Sequence, residues 1–379
     1  MKNLKLLGYL MVFASALLCV QCTSDPIPGK DGADGIPGID GIDGVDGVDG
    51  SAASCIACHS NEKREPIYEA WSTTKHATGF TWGFFGTRAS CAECHNNEGF
   101  IEFIETGESN PDGYSVSNPL NCNGCHSTHR SFDFETDGND YAVRTLEEVP
   151  LRNLENIDYT IDYGNASNTC ANCHQPRSDA PTGDMDGKYL QTSSHWGPHH
   201  GPQTALLEGL LGAYSTFTLV EAIPPVQVAA HRQGSSCIEC HMGGTTDGSD
   251  GHTWTPAGNN CATCHPGSSF EELKVMDDLI ADWETLGGIL ETVVGQEVAQ
   301  DSLGEYYPVF EADGVTPVPV VGIVHLEDGE WHPQVGLFDL KDAEAAWNFL
   351  FFYEDKSGGV HNPDYARSII TNSLAALQN

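Results

Sequence analysis

Six times the chain repeats one arrangement: two cysteines two residues apart, followed at once by a histidine. The copies are Cys55-Ile-Ala-Cys58-His59, Cys91-Ala-Glu-Cys94-His95, Cys122-Asn-Gly-Cys125-His126, Cys170-Ala-Asn-Cys173-His174, Cys237-Ile-Glu-Cys240-His241 and Cys261-Ala-Thr-Cys264-His265. Two thiols at this spacing can add to the two vinyl groups of one haem. The next residue then lies under the iron, where its imidazole becomes an axial ligand. Zinc also uses paired cysteines but makes no demand on the following residue. Disulfides suit an exported chain yet leave the histidines unexplained. Histidine is 16 of 379 residues, so six hits in six by chance is on the order of one in a hundred million. The sequence therefore predicts six haem c groups.

An iron with one axial histidine wants a second strong ligand unless its site is catalytic. The chain has only five methionines, and Met1 and Met11 lie in an apolar leader. Ten histidines remain outside the motifs: His76, His129, His195, His199, His200, His231, His252, His325, His332 and His361. His129 follows His126 by one helical turn, so it cannot reach the far face of the same haem and is assigned to a neighbouring one. The alternative for it is a propionate contact. His231, six residues before Cys237, is assigned to another haem for a similar reason. His76 lies in the amphipathic segment EAWSTTKHATGF, and His252 in the glycine-flanked loop DGSDGHTW. SSHWGPHHGPQ offers His195, His199 and His200, with one of the three expected to ligate. His325 and His332 flank an Asp-Gly turn and are left as surface or spare groups.

Between residues 55 and 265 there is one haem for roughly 35 residues. Porphyrins must then make up much of the core, with short helices, long irregular loops and little sheet between them. The fold class expected is mainly α with extensive irregular loops, organised around closely packed haems, with C-terminal helices. Residues 266–379 carry no cysteine and read as a haem-free helical region packing on residues 55–265. SSFEELKVMDDLIADWETLGGILETVV has apolar residues at helical spacing, behind a capping box of Ser268 with Glu271 or Ser269 with Glu272. Gly287-Gly288 is expected to end or bend that helix. Residues 306–340 read as short strands or an extended excursion. Lys341 to Glu354 reads as helix, and Asn362-Pro363 as the start of a last helix reaching Leu377.

Residues 1–22 read as a lipoprotein-type signal: Lys2 and Lys5, an apolar run from Leu6 to Val20, then Cys19 and Cys22 as candidate lipidation sites. A plain secretory signal is the alternative. Glycine then falls at every third position from Gly29 to Gly50, with aspartate filling most third places. Residues 23–54 read as an acidic, collagen-like tether, a triple helix and calcium binding being the alternatives. The formal net charge is −37. It argues against nucleic acid and against anionic membrane surfaces, leaving a lipid anchor as the only membrane contact. The mature chain is expected outside the cytoplasm, as an outer-membrane or cell-surface lipoprotein, or otherwise in the periplasm.

The six motifs, SSHWGPHHGPQ, AHRQGSSCIECHM, GHTW and the end segment AAWNFLFFYEDKSGGVHNPDYARSIITNSLAAL resemble bacterial multihaem c-type cytochromes of the broad group related to cytochrome c nitrite reductase and hydroxylamine oxidoreductase. The resemblance spans residues 55–379. It implies distal-ligand roles for His199, His231, His252 and His361. It also implies packing of C-terminal helices between subunits, and so a homodimer. The chain has no C-x-x-C-K motif and no obvious counterpart of a crosslinking tyrosine, so the resemblance does not carry an activity. An electron-transfer protein is the leading expectation, with other redox proteins or extracellular acceptors as partners. An oxidoreductase acting on a small nitrogen or sulfur compound at one open haem is the second. A subunit of a haem filament is the third.

Overall fold

The computed structural model describes residues 52–131, 141–183, 186–243, 249–256, 258–262, 264–268 and 276–378. The leader, the glycine repeat and the capping-box residues Ser269, Glu271 and Glu272 lie outside the described residues.

Up to residue 265 the motifs sit on helices of one or two turns, among them Ala52–His59, Ala89–His95, Cys122–Cys125, Ser167–Ala171 and Cys237–His241. Local chemistry ends and starts them. Ser236 and Glu239 form a reciprocal capping box ahead of His241. Asn96 closes one helix and caps the next, Asn97–Thr106, through the backbone N–H of Glu98. The Cys122–Cys125 turn is too short to satisfy its own carbonyls. The Arg144 guanidinium donates to the oxygens of Asn123 and Gly124, at 3.1 Å each from Nε.

The expected helical turn from His126 to His129 is absent. The helix stops at Cys125, and His126 is extended, bridging to Val143. The separation of the two imidazoles therefore comes from extended chain rather than from helix geometry.

Beyond the motifs the chain builds an apolar core. Helices Asp277–Leu290, Leu340–Asp355 and Pro363–Gln378 pack together, and Trp347, Phe349, Phe351, Leu279, Leu286, Tyr365 and Ile369 are fully buried among them. Ala205, Leu206 and Leu211 join the same cluster from the haem-motif half. On the Leu340–Asp355 helix, Glu344, Trp347 and Asn348 share one face and clamp residues 211–216. Trp347 Nε1 donates to the Leu211 oxygen at 2.7 Å, and Asn348 exchanges hydrogen bonds with the backbone of Ala213. Buried Glu344 accepts from the backbone N–H and hydroxyl of both Ser215 and Thr216.

Sheet is more extensive than a mainly helical reading allows. Strands Lys188–Gln191, Gly336–Asp339, Val294–Gln296 and Pro319–Val321 form a four-stranded antiparallel sheet in that order. Its first strand comes from between the fourth and fifth motifs, which local periodicity could not foresee. Strands do occupy much of residues 306–340, as their Val/Ile alternation predicts. Gly287-Gly288 neither ends nor interrupts its helix, which runs to Leu290. A Cβ on Gly287 would lie 2.8 Å from Phe349 Cε2, so this glycine serves close helix packing rather than termination. The last helix begins at Pro363, with Asn362 Oδ1 capping the N–H of Tyr365 at 3.2 Å.

Candidate haem sites

Each of the six motif histidines faces one other imidazole across a nearly constant gap. Ring centroids are 6.1 Å apart for His59 and His129, His76 and His174, and His95 and His199. They are 6.2 Å apart for His126 and His252 and for His231 and His265, and 6.3 Å for His241 and His361. Two metal–imidazole bonds of about 2 Å each, roughly in line, give centroids about 6 Å apart. In every pair one ring follows a C-x-x-C and the other comes from elsewhere in the chain. The twelve motif cysteines form no disulfide with one another.

Different local structures supply the second rings. His76 rides the short helix Lys75–Thr78 and His231 the helix Ala230–Gly234. Of the three histidines in SSHWGPHHGPQ, His199 faces a motif ring. His195 is exposed, and His200 turns to Glu354 Oε2 at 2.9 Å. His199 adopts φ +74°, a left-handed conformation uncommon for a side-chain-bearing residue, fixed by the prolines and glycines around it. His252 follows Gly251, whose φ is +74° and where a Cβ would lie 2.3 Å from Met242 Cα. Only glycine fits there. His325 and His332 face each other across a β-hairpin, centroids 5.9 Å apart.

Hydrogen bonds at Nδ1 set the tautomer that leaves Nε2 with a lone pair. Nδ1 donates to the backbone oxygen of Tyr141 from His126, of Val360 from His231, of Trp254 from His241 and of Ser249 from His252, at 2.6 to 3.0 Å. His174 Nδ1 donates to Gln203 Oε1 at 3.0 Å. His361 Nδ1 meets a carboxylate, Asp355 Oδ1, at 2.7 Å. Burial, reinforced by His174, pushes His76 down to about 4, and burial with His200 does the same for His199. Both are therefore neutral at pH 7, as a ligating imidazole must be.

The motifs touch one another. Cys94 Sγ lies 3.7 Å from the Asn172 oxygen and Cys173 Sγ 3.9 Å from the Glu93 oxygen, while Ser167, at the head of the motif-four helix, accepts from the Ile238 N–H of motif five at 3.1 Å. Motif four thus abuts motifs two and five. Asn260 Nδ2 donates to the Cys240 oxygen at 2.5 Å, joining six to five. His129, just after motif three, faces His59 of motif one. Trp254 lies 4.6 Å from His76 and 5.9 Å from His252 by ring centroids, joining the pairs of motifs four and three. The six pairs therefore form one connected series, centred on motif four.

The surroundings fit haem c. Among the described residues beyond the C-terminal cluster, the buried apolar core near the motifs is small: one cluster of Val149, Ile161 and Ala171. Large apolar side chains instead stand at the motifs with open faces. Ile56 lies within motif one, and Phe80, Phe84 and Phe85 form a ring-to-ring ladder ending 6.4 Å from His95. These are walls for a flat apolar group. A cavity of about 430 Å³ lined by residues 73–76 and 253–255 opens beside His76. Gln203, Arg144, Trp254 and Asp355 escaped sequence reading, because nothing in a linear pattern marks a residue that acts on a histidine brought from afar.

No protein-family model matches the chain, and no curated protein matches it. Among solved structures, it is similar to the crystal structure of the outer cell wall cytochrome OcwA. The identity is 18%, the TM-score 0.47, and the match covers 82% of this chain and 50% of that one. The chain thus spans about half the length of that structure.

Proposed function

We propose that this chain is an exported hexahaem c-type cytochrome that carries electrons. The observation that carries the reading is the set of six facing imidazole pairs, each with one ring from a C-x-x-C-H motif. When bound, each haem supplies one-electron chemistry. The cysteine pairs, Cys55 with Cys58 through Cys261 with Cys264, hold the groups covalently. His59, His95, His126, His174, His241 and His265 would each give one imidazole nitrogen to an iron, and His129, His199, His252, His76, His361 and His231 would give the other in that order. Backbone carbonyls, Gln203 and Asp355 orient the rings. Contact between motifs keeps the sites close enough for tunnelling from one to the next.

The second reading is an oxidoreductase acting on a small nitrogen or sulfur compound. It requires one haem with an empty or displaceable sixth position, and the six facing pairs leave no motif histidine without a partner ring. The charge of −37 favours basic partner surfaces, which speeds encounter with a cationic redox protein. The leader and glycine repeat support placement outside the cytoplasm on a lipid-anchored tether. Among the described residues no helix is long and apolar enough to cross a membrane.

A redox titration of the purified protein tests the proposal. It should take up six electrons per chain and return them to an external acceptor with no substrate turned over. An uptake well below six, or a dependence on nitrite or hydroxylamine for reoxidation, contradicts it.

A further inference from the structure

The Leu340–Asp355 helix ends on a carboxylate that meets one of the ligand imidazoles. Asp355 is 1% exposed, and its Oδ1 lies 2.7 Å from His361 Nδ1. Its Oδ2 accepts from the N–H of Ser357 at 3.2 Å and from the Ser357 hydroxyl. The Asp355 backbone oxygen accepts from Gln203 Nε2 at 3.1 Å, and Gln203 Oε1 accepts from His174. Five residues further on, the Val360 oxygen accepts from His231. The segment 355–361 thus orients ligands at three successive sites, but it presents a negative oxygen only to His361. The imidazoles of His126, His174, His231, His241 and His252 donate to neutral backbone or amide oxygens.

That difference has a redox consequence. A carboxylate accepting from Nδ1 draws the proton toward itself, so the opposite nitrogen becomes a stronger donor to iron. A stronger donor stabilises the oxidised metal, and a buried negative charge beside the ligand acts in the same direction. Burial keeps water from screening either effect. We propose that Asp355 is a positioning residue that lowers the potential of the site of His241 and His361. The site lies between motif four, reached through the Ile238 N–H and Ser167, and motif six, reached through Asn260. Electrons passing to or from the His231–His265 site would cross this step, which makes Asp355 a control on flow along that arm.

The inference rests on the haem reading above, and spectroelectrochemical titration of the holoprotein separates the two. Wild type must first show six low-spin haems, and fewer would overturn the haem reading itself. In Asp355→Asn one of the six couples should rise by about tenfold in its reduction equilibrium, or about 59 mV for one electron, with all six haems still low-spin. Ser357→Ala removes a donor that competes for the same carboxylate, so the same couple should fall. Six unchanged couples in Asp355→Asn would overturn the inference. If that variant instead frees His361 and leaves one haem high-spin, Ser357→Ala decides. A downward shift of one couple supports the inference, and no shift overturns it.

Discussion

The imidazoles of His59 and His129 face each other with ring centroids 6.1 Å apart, although 70 positions separate them in the sequence. His126, three residues before His129, faces His252 instead. One short segment therefore serves two sites, holding one by its own cysteines and closing another with a loan. The same loan recurs around the molecule, which fixes the spacing between sites by covalent chain.

If His129 is the second ligand at the first motif, His129→Ala should turn one haem high-spin while leaving six haems attached. Optical and EPR spectra read the change, and haem content per chain reads the attachment. His195→Ala is the companion variant, since that ring is exposed and faces no motif. It should leave every haem low-spin. A wholly low-spin His129→Ala protein would remove this ligand from the account.

Gly251 makes a backbone test of the His252 site. Its φ of +74° and the 2.3 Å approach of Met242 Cα leave no room for a methyl group. Gly251→Ala should therefore displace His252 and give one high-spin haem, as His252→Ala does. Gly107→Ala, strained at φ +82° but with open space around it, should cost some stability and leave the haem spectra unchanged.

The C-terminal core should depend on Glu344. Removing its carboxylate leaves the Ser215 and Thr216 donors without their partner inside the fold. Glu344→Ala should cost about 3 kcal/mol, read as a lower urea midpoint. Glu344→Gln keeps one acceptor and should cost less. Neither should change the haem count.

The motifs should differ in how much of the molecule depends on them. Cys55 and Cys58 are exposed. The paired substitutions Cys55→Ser and Cys58→Ser should give a folded chain with five covalent haems, measured by mass and haem stain. Motif four abuts two others: Cys173 Sγ lies 3.9 Å from the Glu93 oxygen of motif two, and Ser167, at the head of its helix, accepts from Ile238 of motif five. Losing both Cys170 and Cys173 should lower the yield of folded protein sharply and disturb more than one haem spectrum.

The cofactor was legible in the sequence because C-x-x-C-H is a local demand: three residues must meet one haem edge. The facing rings were harder. His129 and His231 could be assigned away from their own haem by proximity, although His129 is separated by extended chain and not by the helical turn assumed. Which haem each histidine meets is a tertiary fact, and so is the pairing of strand Lys188–Gln191 with Gly336–Asp339. Gly287 shows how a local signal misleads. Glycine in a helix usually marks an end, yet here it admits the Phe349 ring. Asp355 could not be read at all, because its role exists only through the position of His361.

The most direct test of six doubly ligated sites is the low-temperature EPR spectrum of the oxidised holoprotein, integrated against its haem content. Six haems per chain are expected, all low-spin, with no change on adding nitrite or hydroxylamine. A high-spin signal that integrates to one haem and shifts with either compound would contradict this, because one iron would then have an open position.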